Sequence, residues 1–163
     1  MSLDGYIAGP NGEADWITIE PEYDFTALWA QFDTLLMGRR TWEAARARLG
    51  PSSMSGKRVV VVSRTLREAD APGATILSDL SSEIIDSLRE QSRKDIWLMG
   101  GSQLFGALLE MRQVDTVEVA VIPVLLGGGV PLLPATEQRT ALQLVEHKAY
   151  STGRLSAIYN MQR

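Results

Sequence analysis

With 163 residues and 45% hydrophobic side chains, the chain is long enough for one well-packed core and too short for two ordinary domains, so residues 1–163 read as a single domain. It contains no cysteine and one histidine, His147, which excludes disulfides, thiolate or imidazole metal clusters and a Ser-His-Asp triad; no metal site is expected. A net charge of −4 argues against a general polyanion binder, and neither a signal segment nor an apolar run of roughly 20 residues is present, so a cytoplasmic protein without nucleic-acid or membrane partners is expected.

Residues 1–9 (MSLDGYIAG) read as the end of a strand and the loop after it, with no strand body ahead; either the first strand is unusually short or the chain begins late relative to its relatives. Residues 24–32 (DFTALWAQF) form a helix candidate. Segments 34–38 (TLLMG), 58–63 (RVVVVS) and 96–100 (IWLMG) are short, apolar and partly β-branched, and each runs into a polar or glycine break, the pattern of buried parallel strands. Between them, 41–49 (TWEAARARL) opens on an N-cap candidate, Thr41, and 81–91 (SSEIIDSLREQ) sets Ile84, Ile85 and Leu88 on one face with charge opposite. A third helical pattern begins at Ser102 and runs through Leu104, Phe105, Leu108 and Leu109.

Further on, residues 116–122 (TVEVAVI) alternate like a strand, and 142–150 (LQLVEHKAY) and 155–161 (LSAIYNM) are strand-like runs joined by Ser151-Thr152-Gly153-Arg154, a hairpin. Residues 51–56 (PSSMSG) and 71–74 (APGA) read as ordinary loops. Alternation of strand and helix predicts the α/β class: a three-layer α/β/α sandwich with right-handed crossovers, a mostly parallel mixed sheet and an antiparallel C-terminal hairpin. Trp29 and Trp97 are expected in the core and His147 in a structural role.

Charge is unevenly distributed. Residues 39–67 hold eight basic side chains against one acidic, Glu43, while the remainder holds eight basic against nineteen acidic. A local positive field on an acidic body suits a small phosphorylated ligand better than a long nucleic acid. Three stretches could seat one. Gly100-Gly101 ends a strand and opens a helix, where missing β-carbons and free N–H groups let an anion approach the main chain; a bare tight turn is the alternative. Gly38-Arg39-Arg40-Thr41 repeats that layout with two arginines, and Ser63-Arg64-Thr65 sets two hydroxyls and a guanidinium at a third strand end. Each alone reads equally well as a solvated loop. Together, at the carboxyl edge of one open α/β sheet, they favour a phosphate-bearing cofactor. Neither GxGxxG nor GxxxxGK[ST] is present.

In order along the chain, SLDGYIAGPNGEADWIT (2–18), DTLLMGRRTWE (33–43), VVVVSRT (59–65), IWLMGGSQLF (96–105) and PVLLGGGVPLLP (123–134) resemble the dihydrofolate reductase-like superfamily. The likeness is closer to the reductase domain of riboflavin-biosynthesis deaminase-reductases, and it spans nearly the whole chain without a deaminase segment. The resemblance implies NADPH as cofactor. It places Gly38, Arg39, Arg40 and Thr41 at the pyrophosphate and 2′-phosphate, Ser63, Arg64 and Thr65 along the adenosine end, and Gly100, Gly101, Ser102, Gln103 and Leu104 at a glycine turn under the pyrophosphate, commonly with a cis Gly-Gly bond. Asp4, Ile7 and Ala8 would lie beside the nicotinamide, residues 9–16 would be the mobile loop that closes over it, and Trp16 would line the substrate cleft. Gly127, Gly128 and Gly129 match a late loop that is either a flexible turn or a ligand contact.

For proton delivery the resemblance offers Glu22 or Asp24 at the start of the first helix, with Asp4 as a further carboxylate. Three functions follow from it: reduction of a small heterocycle, most like 5-amino-6-(5-phosphoribosylamino)uracil reductase; dihydrofolate reduction; or a nucleotide-binding or interaction module without turnover. A homodimer through the C-terminal strands is implied by the riboflavin branch.

Overall fold

The computed structural model describes residues 1–50, 52, 54–136 and 139–162; Pro51 and Ser53 of the expected 51–56 loop lie outside them. Its elements are β1 (Tyr6–Ala8), α1 (Phe25–Ala30), β2 (Phe32–Gly38), α2 (Arg39–Leu49), β3 (Arg58–Val62), a 3-10 turn (Glu68–Asp70), β4 (Ala74–Leu77), α3 (Ser82–Gln91), β5 (Asp95–Gly100), α4 (Ser102–Glu110), β6 (Thr116–Val121), β7 (Val130–Pro131), β8 (Leu142–Ala149) and β9 (Leu155–Met161). They fall into two units, one of residues 24–113 and one of residues 1–23 with 114–163.

In the first unit four parallel strands run in the order β4-β3-β2-β5. Leu35, Met37, Val60 and Val61 are 0% exposed and Leu36 is 3% exposed, so neighbouring residues on both faces of β2 and β3 are buried. That is why these strands read as unbroken apolar runs rather than alternating ones. Leu35, Met37, Val59 and Val61 form a cluster with Trp42, Met54 and Ala71, and Trp29 and Trp97 pack against it in an edge-to-face pair 5.7 Å apart. In α3, Ile85 and Leu88 are buried and the Ser81 hydroxyl caps the helix by accepting from the Ile84 N–H.

Most boundaries shift by one or two residues from the sequence expectation, and three of the differences have a clear physical cause. The helix expected over 24–32 ends at Ala30, because Phe32 joins β2 opposite Asp95 and its ring packs 5.1 Å from Trp97. The helix expected from Thr41 starts at Arg39: extended Gly38 (φ −78°, ψ 160°) is the cap, and the two arginines, good helix formers, complete the first turn with Thr41. Ala74, assigned to a loop, begins β4, an edge strand too short to show a period and held by its register with β3.

The second unit contains the antiparallel sheet β6-β9-β8, whose β8–β9 hairpin turns at residues 151–154 as expected, and the small pair β1-β7. Thus the α/β class and the mixed strand directions hold, with parallel and antiparallel strands in separate hydrogen-bonded sheets. The N-terminal segment contributes a short strand, β1, and a parallel bridge between Ser2 and Ile122. Gly129 (φ +139°) passes so close to the Ala8 carbonyl that a β-carbon would collide with it, so the β1-β7 approach requires glycine.

Asp4 clasps this unit. Its carboxylate accepts from the Ser2 hydroxyl (2.7 Å), the Leu126 N–H (3.1 Å) and the Gly127 N–H (2.7 Å). These donors, the Ser2 hydroxyl foremost, hold its pKa below the usual 3.8. A carboxyl whose folded pKa is depressed stabilises the fold above its unfolded value, and that contribution is lost as pH falls through the folded value. Asp4→Asn therefore lowers the urea midpoint near neutral pH, and the difference from wild type closes as pH drops below about 4. In the other unit, Leu35→Ala costs about 3 kcal/mol in the same denaturation experiment, because it leaves a cavity among fully buried neighbours.

Candidate functional site

Parallel pairing brings the three glycine and hydroxyl turns to one edge. Gly38, at the end of β2, pairs with Val62 of β3, and Met37 pairs with Gly100 of β5. The turn at Gly38 therefore lies between the turn at Ser63 and the turn at Gly100-Gly101. A β-carbon on Gly38 would sit 3.9 Å from the Gly101 nitrogen, and one on Gly101 would sit 3.4 Å from Thr41 Oγ1. The N-termini of α2 and α4 are thus neighbours. The Gly100–Gly101 peptide bond is cis, with Gly100 at φ +100°.

Neither helix start is neutralised. Gly38 and Gly101 are extended caps with no side-chain hydrogen bond, and neither first turn contains an acidic residue. The first-turn N–H groups of both helices have no intrahelical acceptor, and the positive ends of two helix dipoles converge. Ser102 adds a hydroxyl 6% exposed whose oxygen has no hydrogen-bond partner. Leu104 is buried and joins the site only through its backbone, while Gln103 is exposed.

The basic side chains divide by role. Arg40 and Arg64 are exposed beside the turns that carry them, and Arg39 reaches Glu43 at 3.7 Å in a half-exposed pair of small energetic weight. Arg46 lies over the Trp42 ring at 4.8 Å. Lys57 donates to the Trp29 and Phe32 carbonyls at 2.7 and 2.6 Å, beyond the end of α1, and Arg58 sits at the amino end of β3, away from the three turns. The charge excess counted along the sequence is therefore only partly gathered at the site. Ser63 shapes its turn, its hydroxyl accepting from the Thr65 and Leu66 N–H groups at 3.2 and 3.0 Å, which leaves Arg64 and Thr65 outward.

The second unit holds the remaining candidates. Ile7 and Ala8 are half-buried in β1. The 9–16 loop is internally tied: Gly9 N–H donates to the Glu13 carbonyl (2.8 Å), Asn11 donates from backbone and side chain to the Glu13 carboxylate (2.9 and 2.7 Å), and the Trp16 indole donates to the Glu13 carbonyl (3.2 Å). The Asn11 side chain foremost holds the Glu13 pKa below its usual value. Glu22 is exposed and accepts from the Ser151 hydroxyl at 2.6 Å. In the first unit, Asp24 is exposed and caps α1 by accepting from the Ala27 N–H at 2.8 Å.

Sequence reasoning missed Glu20, which is 2% exposed, accepts from the Thr152 hydroxyl and is reached by the Glu22 N–H at 3.3 Å. Ile19-Glu20-Pro21 shows no periodicity that would mark a buried carboxylate, and its partner is 132 residues away. His147 is exposed on β8. Among the described residues no cluster of His, Asp and Glu could hold a metal, and no helix is long and apolar enough to cross a membrane.

Comparison with known proteins places this geometry. The RibD C-terminal domain family matches residues 1–156. YyaP, an uncharacterized protein of Bacillus subtilis (strain 168), is 32% identical over 171 positions covering 98% of this chain and 90% of its own. The crystal structure of a candidate riboflavin biosynthesis protein from Shewanella sp. PV-4 superposes with a TM-score of 0.86 at 26% identity, covering 100% of this chain and 96% of that one. Dihydrofolate reductase from Enterococcus faecalis, complexed with NADP(H), superposes with a TM-score of 0.67 at 20% identity, covering 100% and 93%, a likeness of fold. The fold is dihydrofolate reductase-like, and the chain belongs to the RibD C-terminal domain family.

Proposed function

We propose that this protein is a cytoplasmic NADPH-dependent reductase of a small heterocyclic substrate, of the kind that reduces 5-amino-6-(5-phosphoribosylamino)uracil. The observation that carries this reading is the meeting of two uncapped, unneutralised helix N-termini at Gly38 and Gly101, with Ser63, Arg64 and Thr65 at the adjoining strand end. The residues present suit a pyrophosphate: glycines keep β-carbons away, and the orphan Ser102 hydroxyl and first-turn N–H groups supply donors. In this reading Gly38, Thr41, Gly100, Gly101, Ser102, Gln103 and Leu104 seat the pyrophosphate, and Arg39, Arg40, Ser63, Arg64 and Thr65 receive the adenosine end and its 2′-phosphate. When bound, NADPH supplies the hydride; the protein supplies position, field and exclusion of water.

Ile7, Ala8 and Trp16 are assigned to the nicotinamide and substrate side. Both Asp4 oxygens and Asp24 Oδ1 accept from backbone N–H groups, as clasp and helix cap, whereas Glu22 has no backbone donor among the described residues and is oriented by the Ser151 hydroxyl. Proton delivery is therefore assigned to Glu22. Since both Glu22 and Asp24 are exposed, neither presents the carboxylate in an apolar cleft that would favour dihydrofolate. The same reading makes the protein a homodimer through β8, which is exposed along its whole length and carries Leu142, Leu144 and Val145.

Titration followed by tryptophan fluorescence gives tight NADPH binding and much weaker NADH binding. Arg40→Ala or Arg64→Ala weakens NADPH about tenfold and leaves NADH unchanged, as expected for a lost charge-assisted phosphate contact. Glu22→Gln lowers kcat/KM about 100-fold with NADPH affinity intact. Failure of the wild type to bind either dinucleotide overturns the reductase assignment and leaves a module without turnover. Light scattering gives a dimer that Leu144→Lys converts to a monomer; a monomeric wild type removes the dimer from the reading.

A further inference from the structure

Two polar side chains on β9 and the turn before it have no part in the reductase reading. Arg154 and Ser156 are two residues apart, so along an extended chain they face the same side. Each is 8% exposed, and Arg154 Nε and Ser156 Oγ have no hydrogen-bond partner. Among the described residues no carboxylate lies within ion-pair distance of the guanidinium. A buried guanidinium is costly unless its charge and its N–H groups are both satisfied.

The surroundings satisfy only the charge. The guanidinium carbon lies 4.5 Å from the Tyr23 ring centroid and 5.6 Å from that of Tyr150, contacts that engage the cation through aromatic faces and leave the Nε–H without an acceptor. Tyr23 cannot serve as a counter-ion: burial foremost, then its hydrogen bond to Glu118 (2.9 Å), pushes its pKa up to about 12, and it stays a neutral phenol. The carboxylates of this region are engaged by other donors: Glu20 by Thr152, Glu22 by Ser151 and Glu118 by Tyr23. A planar fork of donors, an unpartnered hydroxyl on the same side and two aromatic walls make a complement to one kind of chemistry.

We propose that Arg154 and Ser156 form a binding site for a small oxyanion, a phosphate or carboxylate group, whose oxygens accept from the Arg154 Nε–H and the Ser156 hydroxyl beside the Tyr23 and Tyr150 ring pair. The site shares no residue with the dinucleotide seat and does not depend on the protein being a reductase. Its ligand is either a free anion or the acidic group of a larger molecule.

The test is proton–nitrogen NMR of the arginine Nε–H groups in the isotopically labelled full chain, with the Arg154 resonance identified by its loss in Arg154→Lys. Inorganic phosphate and acetate are titrated separately at constant ionic strength. A saturating shift of the Arg154 resonance supports the site, and whether phosphate, acetate or both produce it names the group the site prefers. Ser156→Ala weakens that binding about tenfold, as loss of a hydrogen bond to a charged group would. A resonance unmoved by both anions overturns the proposal, as does a Ser156→Ala protein that titrates like wild type. Phosphate bound at the turns of α2 and α4 leaves this resonance in place, so the two sites are read separately.

Discussion

Parallel pairing of β2 between β3 and β5 is the constraint on which the candidate site depends. A parallel strand must send its chain back over the sheet before the next can start, so every strand in the group ends at the same edge. With Gly38 opposite Val62 and Met37 opposite Gly100, that edge receives three turns and two helix starts within a few residues of each other. Burial on both faces packs Leu35 and Met37 against one side of the sheet and Leu36 against the other, so a slip of one residue would exchange side chains of different shape between two close-packed faces.

The chemistry of that edge comes from what is missing as much as from what is present. Glycine at both caps removes the usual side-chain acceptor, and the absence of acidic residues in either first turn leaves the helix dipoles unopposed. An anion is the natural complement, and a pyrophosphate has enough oxygens to engage two helix starts at once. The second unit is organised differently. Its segments are held by side-chain clasps across long stretches of sequence: Asp4 to the 126–127 turn, Ser151 and Thr152 to Glu22 and Glu20, and Tyr23 to Glu118. Arg154, among those clasps, has an aromatic environment and no acceptor for its Nε–H.

Much of the first unit was legible in advance because its signals are local. Runs such as VVVVS and TLLMG announce buried strands, and Ile85 and Leu88 announce the inner face of α3. The errors fell where a partner decides the state of a residue. Phe32 leaves a helical pattern because it pairs with Asp95, and Ala74 leaves a loop because β3 offers it a register. The basic cluster was legible as a count, yet Lys57 and Arg58 belong to the opposite end of β3 from Arg64, a distinction that strand direction makes and composition cannot. Glu20 and Arg154 were not legible at all, since nothing in their neighbourhoods distinguishes a buried charge from a solvated one.

The sequence by itself determined the α/β class, the three glycine or hydroxyl turns at strand ends and the C-terminal hairpin, because each depends on residue types a few positions apart: glycine where the chain turns closely, β-branched runs where it is buried, hydroxyls where a turn begins. Only the tertiary structure decided which turns adjoin, which arginines remain exposed beside them and which carboxylates are already engaged. Those properties depend on groups far apart in sequence, 24 and 63 residues for the strand pairs Gly38–Val62 and Met37–Gly100 and more for Tyr23 with Glu118 or Asp4 with Gly127, and contacts across such separations leave no local pattern.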